Sequence, residues 1–312
     1  MDNTTRKNRR LTMFKQILNY AKHPSDLLKD LDNHHIIKIN DKTYLKIRYK
    51  RRTGKKLNLR HPKTFNEKLQ WLKLYDHNQK YTKMADKYEA KKYVQKIIGK
   101  KYIIPTIGIY DDFDEINFNK LPKKFVIKCT HDSGGLIICK DKKTLNISQA
   151  RKKINKSLRK NYYYSGREWP YKNIKPRIIV EKFIEDDTID DLRDYKFMCF
   201  NGEPQYVYIT VKNDNIFEDY YDMDFKPVNI KHGFPRSNIN FQKPALFEKM
   251  KDIARRLSKD IPFLRVDLHY VNGEILFGEM TFYDWAGFMP FETDEQDKKF
   301  GSLIKLPKRR RK

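Results

Sequence analysis

The chain has 312 residues, 39% hydrophobic and 13% aromatic, with 67 Lys and Arg against 40 Asp and Glu and a formal net charge of +27. That content argues for a folded protein of about two domains or lobes. No run of about 18 apolar residues occurs, which argues against a transmembrane span, and the start MDNTTRKNRRLTMFK lacks the apolar core of a signal peptide.

A cytoplasmic location is therefore expected. Cys129, Cys139 and Cys199 lie in apolar runs without CxxC spacing, as buried free thiols of a reducing compartment do. The positive charge admits nucleic acid, an anionic membrane face or an anionic substrate as partners. Most of the excess is spread along the chain as lysine, the pattern of a solvated basic surface. The tail KLPKRRRK is the exception. It is either a peripheral contact with acidic headgroups, worth about 1 kcal/mol per basic residue, or a solubilising end.

In chain order, residues 11 to 73 read as basic and helical, with LTMFKQILNYAK, then KIRYKRRTGKK, then a helix after a Thr64 cap in TFNEKLQWLKLY. MADKYEAKKYVQKIIG is a helix stopped at Gly99, and KYIIPTIGIYDDFDEI a short strand broken by Pro105. KKFVIKCT is a strand, HDSGG a tight loop, LIICK a returning strand, and a helix follows over about 148–160. YYYSGREWPYKNIKP reads as an exposed loop, RIIVEKFI as a buried strand, YKFMCFNGEPQYVYITV as a hairpin about Asn201 and Gly202, and KPALFEKMKDIARRLSKDI as a helix. Hairpins rather than repeated βαβ units indicate an α+β chain with antiparallel sheets.

Four segments carry chemistry. In VIKCTHDSGGLII, Lys128 ends a strand before a Gly-containing loop, an arrangement that supplies a point charge and backbone N–H groups to phosphates. Glu181, at the end of an apolar run, suits an acceptor for an exocyclic amine. Arg193 and Lys196 flank Asp194 at a strand start, where cations hold a phosphate or carboxylate. In RVDLHYVNGEILFGEMTF, Arg265, Asp267 and His269 alternate with apolar residues, so a charged face lies inside a run that otherwise reads as core. Asp267 and Glu279 are hard oxygen donors suited to Mg²⁺, and His269 reads as a surface or packing histidine. A two-residue loop at Asn272 and Gly273 would set Asp267 opposite Gly278 and turn Glu279 away. A three-residue loop, Val271 to Gly273, would set Asp267 opposite Phe277 with Glu279 diagonal on the same face, and this register is the one expected.

Together FNEKLQWLKLYD, ADKYEAKKYV with GKKYIIPTIGIYDDFDEI, LPKKFVIKCTHDSGG, VEKFIEDD, LRDYKFMCFNGEP and the hairpin above resemble the ATP-grasp superfamily, and most closely its TupA-like branch, associated with teichuronopeptide and surface polysaccharide synthesis. The resemblance runs in family order from about Thr64 to Phe282. It implies an ATP-grasp fold of two α+β lobes with antiparallel sheets clasping a nucleotide. Lys87 and Lys128 match the phosphate-binding lysines, and Thr130 to Gly135, with Ser133, Gly134 and Gly135, the flexible loop over the γ-phosphate. Glu181 matches the adenine-amine acceptor, Lys182 and Phe183 the backbone hinge, and Glu185 or Asp187 the ribose contact. Asp267 and Glu279 match the Mg²⁺ carboxylates; the third-ligand position, an Asn in the family, is Thr281. Phe277 is expected to line the adenine slot, and Arg265, Lys196 and Arg193 to orient the substrate carboxylate.

The expected organisation is a basic helical region at 1–83, an ATP-grasp domain at 84–300 (phosphate-loop lobe about 120–180, metal-binding lobe about 181–300) and a basic tail at 301–312. The implied activity is an ATP- and Mg²⁺-dependent carboxylate–amine ligase working through an acyl phosphate, with a uronic acid polymer or amino acid as carboxylate and no nucleic acid partner. Two alternatives stay open. A glycosyltransferase would use the DMD of Asp222 to Asp224 on a Rossmann-like sheet. A basic nucleic-acid-binding module would show affinity falling steeply with salt.

Overall fold

The computed structural model describes residues 38–186, 193–212, 215–237 and 239–309; the helix expected at 11–22 and Asp187 lie outside these. Contacts divide the chain into two units, Met1–Leu57 and Asn58–Lys312. In the first, helix α1 (Asp41–Thr53) starts where the Asn40 side chain accepts the Thr43 N–H at 2.9 Å, and it stops at left-handed Gly54.

The second unit opens with α2 (Phe65–Tyr75). A reciprocal capping box forms there, the Thr64 hydroxyl accepting the Glu67 N–H while Glu67 accepts the Thr64 N–H, both at 3.2 Å. The helix expected over 84–99 is two helices, α3 (Gln79–Ala85) and α4 (Lys87–Ile98). Asp86 separates them because its carboxylate accepts the N–H groups of Tyr88 and Glu89, an N-cap in extended backbone that makes Lys87 the first residue of α4.

Strands β1 (Thr106–Tyr110), β2 (Phe125–Cys129), β3 (Leu136–Cys139) and β4 (Ile178–Lys182) form an antiparallel sheet in the order β1-β4-β2-β3. Helix α5 (Ile147–Leu158) covers one face, burying Ala150 and Ile154 with Phe125, Ile127, Cys129, Ile178 and Val180. The segment expected as an exposed loop, YYYSGREWP, instead makes two short helical turns with Tyr163, Gly166, Arg167, Glu168 and Pro170 buried. Its aromatic density explains this: Arg167 lies over the rings of Tyr163 and Tyr164, and buried Lys73 of α2 donates to the Gly166 carbonyl at 2.8 Å.

A larger antiparallel sheet has the order β10-β9-β5-β6-β7-β8: β5 (Asp194–Phe200), β6 (Glu203–Lys212), β7 (Ile216–Tyr221), β8 (Pro227–Val228), β9 (Phe263–Val271) and β10 (Glu274–Thr281). The β5/β6 turn is Asn201 and Gly202, both with positive φ, as a two-residue hairpin requires. Helix α6 (Phe247–Ser258) packs Phe247, Met250, Ile253, Ala254 and Leu257, all fully buried, into this sheet's core. Helix α7 (Asp294–Leu303) closes against α2, where Asp297 accepts the Asn66 N–H at 3.1 Å. The chain beyond it is held as far as Arg309: Lys305 N–H donates to Asn201 at 2.8 Å, and Arg309 lies over the Tyr75 ring. DMD is a turn after β7, with Asp222 accepting the N–H groups of Asp224 and Lys226, and among the described residues both sheets are antiparallel, so the glycosyltransferase alternative lacks the sheet it requires. The three cysteines are buried and free, and among the described residues no helix is long and apolar enough to cross a membrane.

Because both arms of the capping box end on Thr64, Thr64→Ala is expected to cost about 1 kcal/mol, measured as a lower urea midpoint at unchanged slope.

Candidate active site

The β9/β10 hairpin decides where the two expected metal carboxylates stand. Its turn is the two residues Asn272 (φ 48°) and Gly273 (φ 81°), not the three-residue loop expected, and Val271 pairs with Glu274. That register alone would set Asp267 opposite Gly278. However, the pairing shifts by one residue between Phe277 and Glu279, so Gly278 is bulged out and Glu279 lies directly opposite Asp267. Glycine suits the bulge because a Cβ there would make tight contacts, 3.1 Å from both the Asp267 carbonyl and the His269 ring. The carboxylates therefore share a face by a different route from the one expected, and Thr281, paired with Arg265, joins them. Phe277 does not: it pairs with Leu268, on the opposite face, and is buried in the core, which corrects its expected place on the carboxylate side.

Arg265 sits at the centre of this face. Its Nε and Nη2 each donate to an oxygen of Asp267 at 2.7 Å, Nη2 also reaches Glu279 at 2.7 Å, and Nη1 reaches Asp284 at 2.7 Å and the Tyr208 hydroxyl at 3.1 Å. Lys196, opposite Asp267 on β5, donates to Asp267 at 3.1 Å and Asp194 at 3.0 Å, and His269 Nδ1 lies 2.8 Å from Asp194. Arg193 is not in this cluster; strand alternation turns it to the other face, where its guanidinium lies over Phe241, which corrects its expected role beside Lys196. Burial raises the Asp267 carboxyl even against Arg265 and Lys196. For Glu279 burial also works upward, but Arg265 and Lys87 overcome it and hold the group below its usual range.

The donor set fits a hard divalent cation. Asp194, Asp267, Glu279 and Asp284 are paired with Arg265 and Lys196, with His269 2.8 Å from Asp194 and His232 3.6 Å from Asp284. Asp267 is buried with both oxygens engaged, whereas the Glu279 side chain is 44% exposed and its contacts, from Arg265 and the Thr281 hydroxyl, both fall on Oε1. Among the described residues no group of three or more His, Cys, Asp or Glu is arranged around one point, so a cation here would complete its shell with non-protein oxygens, as Mg²⁺ does with phosphates and water.

The phosphate side stands on the smaller sheet and α4. Lys87 donates to the Asp132 carbonyl, and its positive charge helps hold the Glu279 carboxyl below its usual range. The loop after β2 is tethered more firmly than a flexible loop would be. Asp132 accepts the Gly135 N–H and the Ser157 hydroxyl, the Thr130 N–H donates to the Arg177 carbonyl at 2.8 Å, and the His131 Nε2 contacts the Ser157 and Lys160 carbonyls. Thr130 to Asp132 and Gly135 are buried, and only Ser133 and Gly134 are exposed. Gly135 is therefore no phosphate donor in this state: its N–H is engaged, and glycine is needed because a Cβ would press on Cys129 Sγ at 2.5 Å. Ser133 donates to the Tyr162 hydroxyl at 2.9 Å.

Glu181, buried on β4, is held on both oxygens, by Lys91 on Oε1 and by Lys128 on Oε2 at 2.8 Å. Burial works to raise its carboxyl, yet the two ammonium groups outweigh that and lower it. The Lys182 N–H donates to the Pro105 carbonyl at 3.0 Å, the Phe183 ring lies under the Lys124 ammonium, and Glu185 pairs with Lys124 at 2.5 Å on the surface.

Several residues of the site were not singled out from the sequence. Lys91 stands one helical turn after Lys87, a spacing that could have flagged it. Asp284 lies in the YDWAGF segment and is fully buried, with Tyr208 donating to it at 2.9 Å and His232 Nδ1 3.6 Å away. Next to it Trp285 and Ala286 both take left-handed backbone, with φ of 47° and 53°; the Lys73 ammonium holds the Ala286 carbonyl at 2.7 Å, and the Trp285 indole donates to Glu218 at 3.2 Å. Nothing in the linear pattern marks these contacts.

Two antiparallel sheets, with a loop beside Lys87 and Lys128 on one and a carboxylate hairpin with a buried arginine on the other, define an α+β fold with a charged face on each sheet. The TupA-like ATP-grasp family model matches residues 67–305, and the chain belongs to that family. Its structure is similar to the D-alanine–D-alanine ligase from Bacillus anthracis complexed with ATP (16% identity, TM-score 0.39, 64% of this chain and 53% of that one) and to that from Helicobacter pylori (12%, 0.41, 77% and 69%). It is also similar to the ATP-grasp ligase PsnB complexed with minimal precursor, Mg and ADP (10%, 0.37, 69% and 56%). The chain thus spans little more than half the length of most of these proteins. No curated protein matches it.

Glu218 offers a pH test of the buried cluster behind Arg265. Burial, with the Asp284 charge adding, pushes its carboxyl up to about 7 against His232 and a hydrogen bond from Tyr220. Between the unfolded value and 7 the folded state holds the extra proton, so stability falls as pH rises through that window. Glu218→Gln removes the penalty and is expected to raise the unfolding free energy by up to about 3 kcal/mol at pH about 8, seen as a higher melting temperature, but not at pH about 4. Equal shifts at both pH values would contradict the assignment.

Proposed function

We propose that the protein is an ATP- and Mg²⁺-dependent carboxylate–amine ligase of bacterial surface polysaccharide or teichuronopeptide synthesis. The observation that carries this reading is the bulge at Gly278, which sets Glu279 opposite Asp267 and beside Arg265. Membership of the TupA-like ATP-grasp family supports the same chemistry.

In this reading a substrate carboxylate oxygen attacks the γ-phosphorus of ATP and ADP leaves. An amine then attacks the acyl carbon, loses a proton, and phosphate departs with formation of the amide. Bound Mg²⁺ would supply Lewis-acid neutralisation of the phosphate oxygens, with Asp267, Glu279 and the Thr281 hydroxyl as its protein donors. Lys87 and Lys128 hold phosphate charge, Glu181 takes the adenine amine, and Glu185 the ribose. Lys196 orients the substrate carboxylate while Arg265, expected beside it in that role, holds the surrounding carboxylates in place, and transfer of this kind is helped mainly by such positioning and charge. A uronic acid polymer or an amino acid is the acid component, in keeping with the basic surface, and the basic tail touches an anionic membrane face.

Mg-ATP is expected to raise the melting temperature of the wild type and to do so much less in Asp267→Asn. No shift in the wild type, or equal shifts in both, would sink the metal–nucleotide reading. ADP release screened against amino acids and uronic acids, with and without an added amine, identifies the substrates; release that never depends on an acid would remove the ligase assignment.

A further inference from the structure

Glu181 is 3% exposed and lies between β1 and β2, opposite Thr106 on one side and Val126 on the other. A carboxylate there needs a counter-charge, because an unpaired buried charge is far costlier than a paired one. It has two, and they are built differently. Lys91, on α4, has a side chain 10% exposed, and its three N–H donors are matched by three acceptors: Glu181 Oε1, the Ile104 carbonyl at 2.7 Å and the Thr106 hydroxyl at 3.1 Å. Lys128, on β2, has a side chain 30% exposed and contacts Glu181 Oε2 at 2.8 Å. The first ammonium is fixed by three acceptors of the fold; the second pairs with one carboxylate and is partly exposed.

We propose that Lys91 is a positioning residue for nucleotide binding: it is the permanent counter-charge of Glu181, which lets Lys128 leave that carboxylate for a phosphate without stranding a buried anion. The inference rests on the reading of the cleft as an ATP site. Its physical content is a division of labour between two lysines on one carboxylate. Without Lys91, Glu181 would have to keep Lys128 or take up a proton. Phosphate and Glu181 would then compete for one ammonium, and nucleotide affinity would become coupled to proton uptake at Glu181. Among the described residues, the charged groups that pair with Glu181 are Lys91 from α4 and Lys128 from β2.

The test measures Mg-ATP affinity by calorimetry on the full chain for wild type, Lys91→Met, Glu181→Gln and the double variant, at pH about 6 and about 8.5, either side of neutrality. Lys91→Met is expected to bind about tenfold or more weakly at the higher pH and to recover several-fold at the lower, while the wild type changes little. The double variant, which buries no lone carboxylate, is expected to bind within about threefold of Glu181→Gln at both pH values. That comparison stands even if Lys91→Met alone does not fold. A Lys91→Met affinity equal to wild type, a loss of the same size at both pH values, or a double variant more than about tenfold weaker than Glu181→Gln would overturn the role of Lys91. A wild type that binds no Mg-ATP would instead remove the nucleotide reading and leave the lysine pair a structural feature.

Discussion

The site depends on one guanidinium buried among three carboxylates. Arg265 bonds Asp267, Glu279 and Asp284 at once, each at 2.7 Å. Desolvating any of these alone would be expensive, and the arrangement is tolerable only because every N–H of the fork finds an oxygen in a fixed place. A lysine could not do this: its three donors radiate from one point, whereas the planar fork meets two strands and a turn in one plane. The arginine thus fixes β9, β10 and the segment after β10 to one another before any ligand arrives.

That fixation explains why the bulge at Gly278 and the left-handed run at Trp285 and Ala286 belong to one device. The bulge turns Glu279 onto the arginine's face, and the tight turn after β10 brings Asp284 back to it. Two consecutive non-glycine residues in left-handed backbone cost roughly 1–2 kcal/mol each, so the surrounding structure must over-determine them. Here it does, through the Lys73 and Gln70 donors to the Ala286 and Gly287 carbonyls and the indole bond to Glu218. Strain and buried charge offset one another: neither the turn nor the guanidinium would be stable in its place without the other.

How far the sequence foretold this follows the range of the interactions. The capping box of α2, the Asn201–Gly202 hairpin, the antiparallel sheets and the amphipathic α6 are local or periodic, and their residues could be read in order. The same holds for Asp267 and Glu279 as a pair. The route by which they meet could not be read, because a bulge changes register without changing composition. Gly278 was visible as a glycine inside a strand, but only the close approach of the Asp267 carbonyl says why it is there. The buried turns of YYYSGREWP and the Arg265–Asp284 bond depend on a contact 93 residues away in sequence or on a chain reversal, and polar residues in such places look like surface.

Glu181 repeats on the smaller sheet, with opposite sign, what Arg265 does on the larger. In each case a fully engaged buried charge is left with one partner that faces the cleft: Lys128 beside Glu181, 30% exposed, and Glu279 beside Arg265, 44% exposed. The inner partners, Lys91 and Asp267, are the more deeply buried of each pair, so the outer ones are the more open to a ligand. An anionic phosphate would draw on Lys128 and a cation on Glu279, and neither would leave a bare charge behind. A site built this way is held together by its own charges when empty and still offers one charge of each sign to a ligand that carries both.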